Sequence, residues 1–110
     1  MVGAAFADGN AVEGKKVFQR CVGCHSLAET KIGPYLRGVV GRPVASAEGY
    51  AYYSDAMKAF GATGAVWDEA TLDKFLEEPI LFVKGTKMIG PPVTKDMDRA
   101  DLIAFLKSNK

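Results

Sequence analysis

The sequence predicts an all-α domain of four to five helices joined by long loops, and three observations carry that reading. Apolar residues recur at helical spacing near both ends of the chain, at Val17, Phe18 and Cys21 and again at Leu102, Ile103, Phe105 and Leu106. No run alternates apolar and polar residues as a half-buried strand would. Residues 26–53 hold no period and are broken by Gly33-Pro34, Gly38, Gly41-Arg42-Pro43 and Gly49.

The first helix is expected over residues 11 to about 20. Asn10 is a good N-cap, and Glu13 three residues on completes a capping-box pattern. Gly14 lies one turn before Phe18, on the apolar face. A helical Gly costs about 1 kcal/mol against Ala, and close passage of another helix would explain it. Ser54 caps a short helix from residue 55 to about 60, closed by Gly61. After the Gly61–Gly64 turn and Trp67, the pair Asp68-Glu69 favours a helix start. Leu72, Phe75 and Leu76 form its stripe, and Pro79 ends it. Residues 80–83 are too short for a core helix and sit beside a Gly turn. The segment Lys84 to Pro92 reads as a loop, stiff at its Pro91-Pro92 end. A last helix starts at Asp96 or Asp98 and runs to about Lys107. The two end helices, the most clearly amphipathic, should pack on each other, with Gly14 against the Leu102–Phe105 face.

At 110 residues the chain makes one domain, assigned to residues 10–110 behind an extension over residues 1–9. A composition 48% hydrophobic and 25% charged excludes a disordered chain. A net charge of +1 with no concentrated basic face argues against nucleic-acid binding. No apolar run approaches the roughly 20 residues of a membrane helix. In the extension, Ala5-Phe6-Ala7 has an A-x-A pattern. Two readings stay open: the tail of an export signal cleaved before Asp8, or an arbitrary start. Export implies a periplasmic location, with membrane association through a partner or a removed tether.

The chemistry concentrates at Cys21-Val22-Gly23-Cys24-His25. Cys-x-x-Cys-His is the attachment pattern of a c-type haem. Two thiols at this spacing can each add across one vinyl group of a single haem, and the adjacent His can bind the iron. A thioredoxin-like dithiol would need a βαβ surround, which is lacking. A structural zinc site wants four ligands, and the chain has two Cys and one His. A plain disulfide leaves the position of the only His unexplained. Two ionised haem propionates would take the net charge to about −1.

With the single His used, the second axial ligand must come from elsewhere or be absent. Thioether sulfur suits haem iron, and four Met are available. Met1 is terminal, while Met57 and Met97 lie in or beside helices and serve equally well as filler. Met88, in a loop flanked by Gly and Pro, is the best placed on local grounds.

From about residue 13 to 107 the chain resembles the class I cytochromes c, and most of all the bacterial cytochrome c2 group. The resemblance rests on Gly14 to Phe18 leading into Cys21 to His25, then Gly33-Pro34-Tyr35-Leu36, Gly38 and Gly41-Arg42. Tyr53-Ser54-Asp55-Ala56, Trp67, Pro79, Gly85-Thr86-Lys87-Met88 and Asp101 to Lys107 follow in the family's order. It implies the cytochrome c fold, with helices and long loops wrapped around one covalently attached haem c and the end helices crossing. It makes His25 and Met88 the iron ligands and gives Pro34 the bond that orients His25. Arg42, Tyr53 and Trp67 would face the inner propionate, and Thr86 would bond within the pocket.

Three positions depart from the family pattern. Phe75 stands where many relatives carry a Tyr that bonds the ligand Met. Met57 stands where mitochondrial relatives carry an Asn, and Gly90 replaces a shielding aromatic. The first two point to a drier distal pocket, and the third opposes them.

The implied function is electron carriage, not catalysis, by a monomer. The partners are redox proteins: a bc1-type complex, a terminal oxidase, a photosynthetic reaction centre or a dehydrogenase. Lys15, Lys16, Arg20, Lys84 and Lys87 would form a partial basic rim. Ile80 and Leu81 replace lysines of mitochondrial relatives, so they are either a docking contact or buried. Two other readings are a reactive haem with a weakly held Met88 and a domain clipped from a tethered or dehydrogenase-associated cytochrome.

Overall fold

The computed structural model describes residues 9–110. The A-x-A pattern and the cleavage point before Asp8 lie outside the described residues. Five helices follow one another: α1 (Ala11–Phe18), α2 (Asp55–Ala62), α3 (Glu69–Glu77), α4 (Pro79–Phe82) and α5 (Asp96–Ser108). Among the described residues the one β pairing is an isolated antiparallel bridge between Pro43 and Val66.

The frame is the crossing of α1 and α5. Asn10 caps α1 as expected, its side chain accepting from the amides of Val12 and Glu13 at 2.8 and 3.1 Å. Gly14 permits the crossing: a Cβ there would sit 1.9 Å from the Asp101 carbonyl oxygen and 2.8 Å from Phe105 Cβ. Phe18 and Phe105 meet at 5.1 Å between ring centroids, and Leu102 is wholly buried. The crossing is pinned by the Asn10 amide donating to the Asp101 carboxylate at 2.8 Å. Helix α3 lies against α5 through Leu72, Phe75 and Leu76 on its buried face. Asp68 caps it by accepting from the Thr71 amide at 2.7 Å.

Three local expectations need correction. Helix α1 ends at Phe18, two residues short of the expected end, because the chain tightens into successive turns through Cys24. Gly61 does not close α2 but lies inside it, where a Cβ would sit 2.5 Å from the Val44 carbonyl oxygen; the chain leaves the helix at Gly64, which has φ 87°. Residues 80–83, read as too short for a core helix, contribute to a single helical turn, α4, headed by Pro79. Proline at the first helical position has no amide to leave unsatisfied. The turn presents Ile80 and Leu81 to solvent at 53% and 64% exposure, which removes the buried reading of this pair.

The rest of the chain is irregular and connects α1 to α2 and α4 to α5. Backbone bonds hold it: Gly41 amide to Trp67 carbonyl at 2.8 Å, Trp67 amide to Arg42 carbonyl at 2.9 Å and Val44 amide to Ala65 carbonyl at 3.0 Å. Ala45 adopts a left-handed conformation at φ 60°. The long segments and the inner faces of the helices enclose one large cavity.

Candidate functional site

That cavity has a volume of about 730 Å³ and an apolar lining. All ten site residues named from the sequence border it: Cys21, Cys24, His25, Pro34, Arg42, Tyr53, Trp67, Phe75, Thr86 and Met88. They come from the turn after α1, the long first loop, the approach to α3, α3 itself and the loop before α5.

The Cys-x-x-Cys-His turn is a continuation of α1. The Cys21 amide donates to Phe18 at 2.8 Å, and the amides of Cys24 and His25 both donate back to the Cys21 carbonyl. The coil sets both sulfurs and the imidazole along the same cavity wall. Burial pushes the Cys21 thiol up, against the pull of Arg20 and with a further push from Cys24. A protonated thiol is a poor redox nucleophile at neutral pH, which weighs against a dithiol enzyme.

His25 is fixed from two sides. Its Nδ1 lies 2.8 Å from the Pro34 carbonyl oxygen. A carbonyl only accepts, so Nδ1 carries the proton and Nε2 keeps its lone pair. Burial depresses the imidazole pKa, the Pro34 bond raises it, and Arg42 and Lys31 depress it further, with a net lowering. His25 is therefore neutral at pH 7, as a metal ligand must be. The backbone of Gly33 lies on the ring: a Cβ there would be 2.4 Å from His25 Cε1.

Met88 is half-buried in the opposite loop, its amide donating to Thr86 Oγ1 at 3.2 Å. The Thr86 hydroxyl thus bonds within the pocket, to the backbone of Met88. Phe75 is buried and stacks at 5.0 Å on Trp67, which meets Phe60 at 6.0 Å. Met57, buried, also lines the cavity and joins Phe75 in an apolar stretch of its wall.

Arg42 supplies the polar exception. Its Nε is buried and has no hydrogen-bond partner. Its guanidinium lies 5.0 Å over the Tyr35 ring and reaches the Arg37 carbonyl at 3.4 Å. Burial lowers its pKa, with Tyr53 and Tyr35 pulling the other way. The Tyr53 hydroxyl accepts from the Ala47 amide at 2.9 Å, which leaves its own proton to donate. A half-buried cation with an orphaned N–H at the wall of an apolar cavity suits a large flat group carrying an anion.

Of the expected basic rim, Arg20 and Lys87 reach the cavity lining. Arg20 pairs with Asp98 at 3.0 Å and Lys16 with Glu13 at 3.3 Å, so two of those five charges are locally balanced. Residues that sequence reasoning missed include Leu36, Val39, Tyr50 and Val93. They sit in aperiodic segments, where no pattern marks an inward side chain. Among the described residues no cluster of three or more His, Cys, Asp or Glu could hold a metal ion, which disfavours the zinc reading. No described helix is long and apolar enough to cross a membrane.

Three comparisons bear on this arrangement. Residues 11–110 match the cytochrome c family model. The chain is 47% identical over 106 residues to cytochrome c2 of Rhodomicrobium vannielii, covering 94% of this chain and 82% of that protein. Its fold superposes on cytochrome cH from Methylobacterium extorquens with a TM-score of 0.84 at 40% identity, over 91% of this chain and 99% of that one. It superposes on ferricytochrome c2 from Rhodopseudomonas palustris with a TM-score of 0.86 at 30% identity, over 92% and 99% of the two chains.

Proposed function

The chain belongs to the cytochrome c family, and from that premise we propose that His25 and Met88 bind the iron of its haem while Cys21 and Cys24 hold the haem by thioether links. The protein is an electron carrier with one covalently attached haem c, and not an enzyme. The observation that carries the ligand assignment is that both cysteines, His25 and Met88 border the same apolar cavity.

The bound haem supplies a one-electron iron couple. His25 donates its Nδ1 proton to Pro34 and presents Nε2, held in orientation by Gly33. Met88 would supply a soft sulfur. A haem held by both side chains would carry electrons rather than bind a substrate. Phe75, Trp67 and Met57 exclude water, so little solvent must reorganise when the charge changes. Arg42, Tyr53 and Trp67 would hold the inner propionate, and the unpartnered Arg42 Nε is free to donate to it.

The electron passes at the cavity mouth, where Cys24 and Ile89 are exposed. The partners are redox proteins of the classes named above, met in the periplasm. Docking leans on apolar contact, with weak electrostatic steering. The exposed Ile80 and Leu81 and the paired Lys16 and Arg20 support this. Association rates with an oxidase should then fall only gently with ionic strength; a steep fall would count against it.

The ligand assignment is tested by absorption spectra of ferric and dithionite-reduced protein, wild type and Met88→Ala. Sharp low-spin ferrous bands and a long-wavelength ferric band lost in Met88→Ala are expected. A high-spin wild-type spectrum, or a band that survives the substitution, would overturn it.

A further inference from the structure

Met88 sits in a segment with little packing of its own. Residues 87 and 89–92 are exposed, and Met88 is half-buried. The buried residues on either side are Thr86 and Val93. Their anchorage therefore decides where Met88 can be.

The Thr86 anchor is a turn, its amide donating to the Val83 carbonyl at 3.0 Å. The Val93 anchor is built from two helices. The Val93 amide donates to the Leu76 carbonyl of α3 at 2.9 Å. Its carbonyl accepts from Arg99 Nη1 of α5 at 3.0 Å, and the next carbonyl, Thr94, accepts from the same atom at 3.0 Å. Arg99 is only 3% exposed. Its Nε donates to Asp73 Oδ1 of α3 at 2.7 Å, and its Nη2 to Asp96. One buried guanidinium thus locks α3, α5 and the end of the Met88 loop together.

The link from this lock to Met88 is short and stiff. Five residue steps separate Met88 from Val93, a reach of at most about 17 Å. Two of the residues between are Pro91 and Pro92, which fix their own φ and hold the residue before each in extended conformation. Displacement of Val93 is transmitted along this strut.

We propose that Arg99, backed by Asp73, is a positioning residue for Met88: by holding the Val93 carbonyl it sets how readily another ligand displaces the thioether. This rests on the reading of Met88 as an iron ligand. Removing the guanidinium leaves two carbonyls without their donor and raises the population in which residues 87–92 swing out. A competing ligand binds only that open form, so its apparent dissociation constant falls in proportion.

The experiment is titration of the ferric holoprotein with imidazole, followed by absorbance, on wild type, Arg99→Gln, Asp73→Asn and Phe105→Leu. Phe105 lies at the α1–α5 crossing and does not line the cavity. Arg99→Gln should lower the imidazole dissociation constant by about ten-fold or more, the equivalent of losing hydrogen bonds to a charged group. Asp73→Asn, which keeps the carbonyl bonds, should lower it by about three-fold. Phe105→Leu should lower the denaturant midpoint and leave the constant unchanged.

A constant in Arg99→Gln within about two-fold of wild type, or an equal shift in Phe105→Leu, overturns the proposal and leaves Arg99 a general stabiliser. Should Arg99→Gln fail to fold, Asp73→Asn decides, and an unchanged constant there is equally fatal. A long-wavelength ferric band that survives Met88→Ala overturns the ligand reading itself, a different result from a normal band with unchanged imidazole binding.

Discussion

The helix crossing of α1 and α5 and the loop wall formed by residues 26–53 and 83–95 are held in opposite ways. The crossing is made of two capped or charged helices in direct contact, with Gly14 against Asp101 and Phe18 against Phe105. Its stability is apolar burial between side chains that touch. The loop wall buries Val39, Val44, Val83 and Val93 and packs Tyr50 on Tyr53, but its inner surface faces a cavity of about 730 Å³. One region is specified by what it is, the other by what it surrounds.

The largest test of that contrast removes what is surrounded. Without its occupant this open apolar cleft leaves a lining of core side chains in contact with water, a loss set against the roughly 5–15 kcal/mol that stabilises a whole domain. A Cys21→Ser, Cys24→Ser chain without attached haem should lose most of its far-UV helical signal, the crossing included. A helical signal close to wild type would mean that the crossing stands alone.

The next test places the same extra carbon in each region. Gly14→Ala should destabilise by about 3 kcal/mol, read from the guanidinium midpoint, with the haem spectrum unchanged. Gly33→Ala forces a methyl against the His25 ring and should cost about 1–3 kcal/mol while also shifting the ferrous spectrum. Equal spectral change in both variants would erase the distinction between the regions.

A smaller effect comes from strain in the loop wall. Ala45 is the non-glycine residue held at positive φ among those described. Ala45→Gly should raise stability by about 0.5–1 kcal/mol, since the left-handed conformation costs a side chain more than glycine loses in freedom. A fall in midpoint would show that the Ala45 methyl contributes more than its backbone costs.

The smallest effect is electrostatic. The side-chain and backbone bonds to Thr71 hold the Asp68 carboxylate below its usual pKa. A folded-state value below the unfolded one adds stability that is full above about pH 5 and is lost as pH falls through the folded value. Asp68→Asn keeps the cap without the charge, so its stability should decline less than wild type between pH 5 and pH 2. Parallel decline would remove Asp68, the cap of α3, from the acid sensitivity of the helical frame.

The two regions also differ in how legible they are from sequence. Asn10, Gly14, Asp68 and the Leu102 to Leu106 stripe announce their helices, because capping and periodicity are local properties. The site was legible where the chemistry of attachment fixes a spacing, at Cys21, Cys24 and His25. Pro34, Arg42, Tyr53 and Trp67 came from resemblance, and Met88, the best placed on local grounds, was chosen by it, since nothing local brings residues 34 and 88 to one cavity. Val93 and Arg99 were not legible at all. A valine after Pro92 has no period, and an arginine on the last helix looks like an ordinary solvated charge until its carbonyl partners are seen. The helical turn at Pro79 was missed because four residues are too few for a periodic signal.

The crossing has a consequence for the order in which the molecule is made. Asn10 and Asp101, joined by a hydrogen bond, stand 91 positions apart. Pairing such distant partners incurs a loop-closure entropy that nearby helices would not, which slows folding relative to a simple helical bundle. A chain synthesised from its N-terminus makes Cys21 and Cys24 before α5, and until α5 emerges α1 lacks its partner and the Val93 carbonyl its Arg99 donor. Both cysteines are therefore open to modification before the crossing can form.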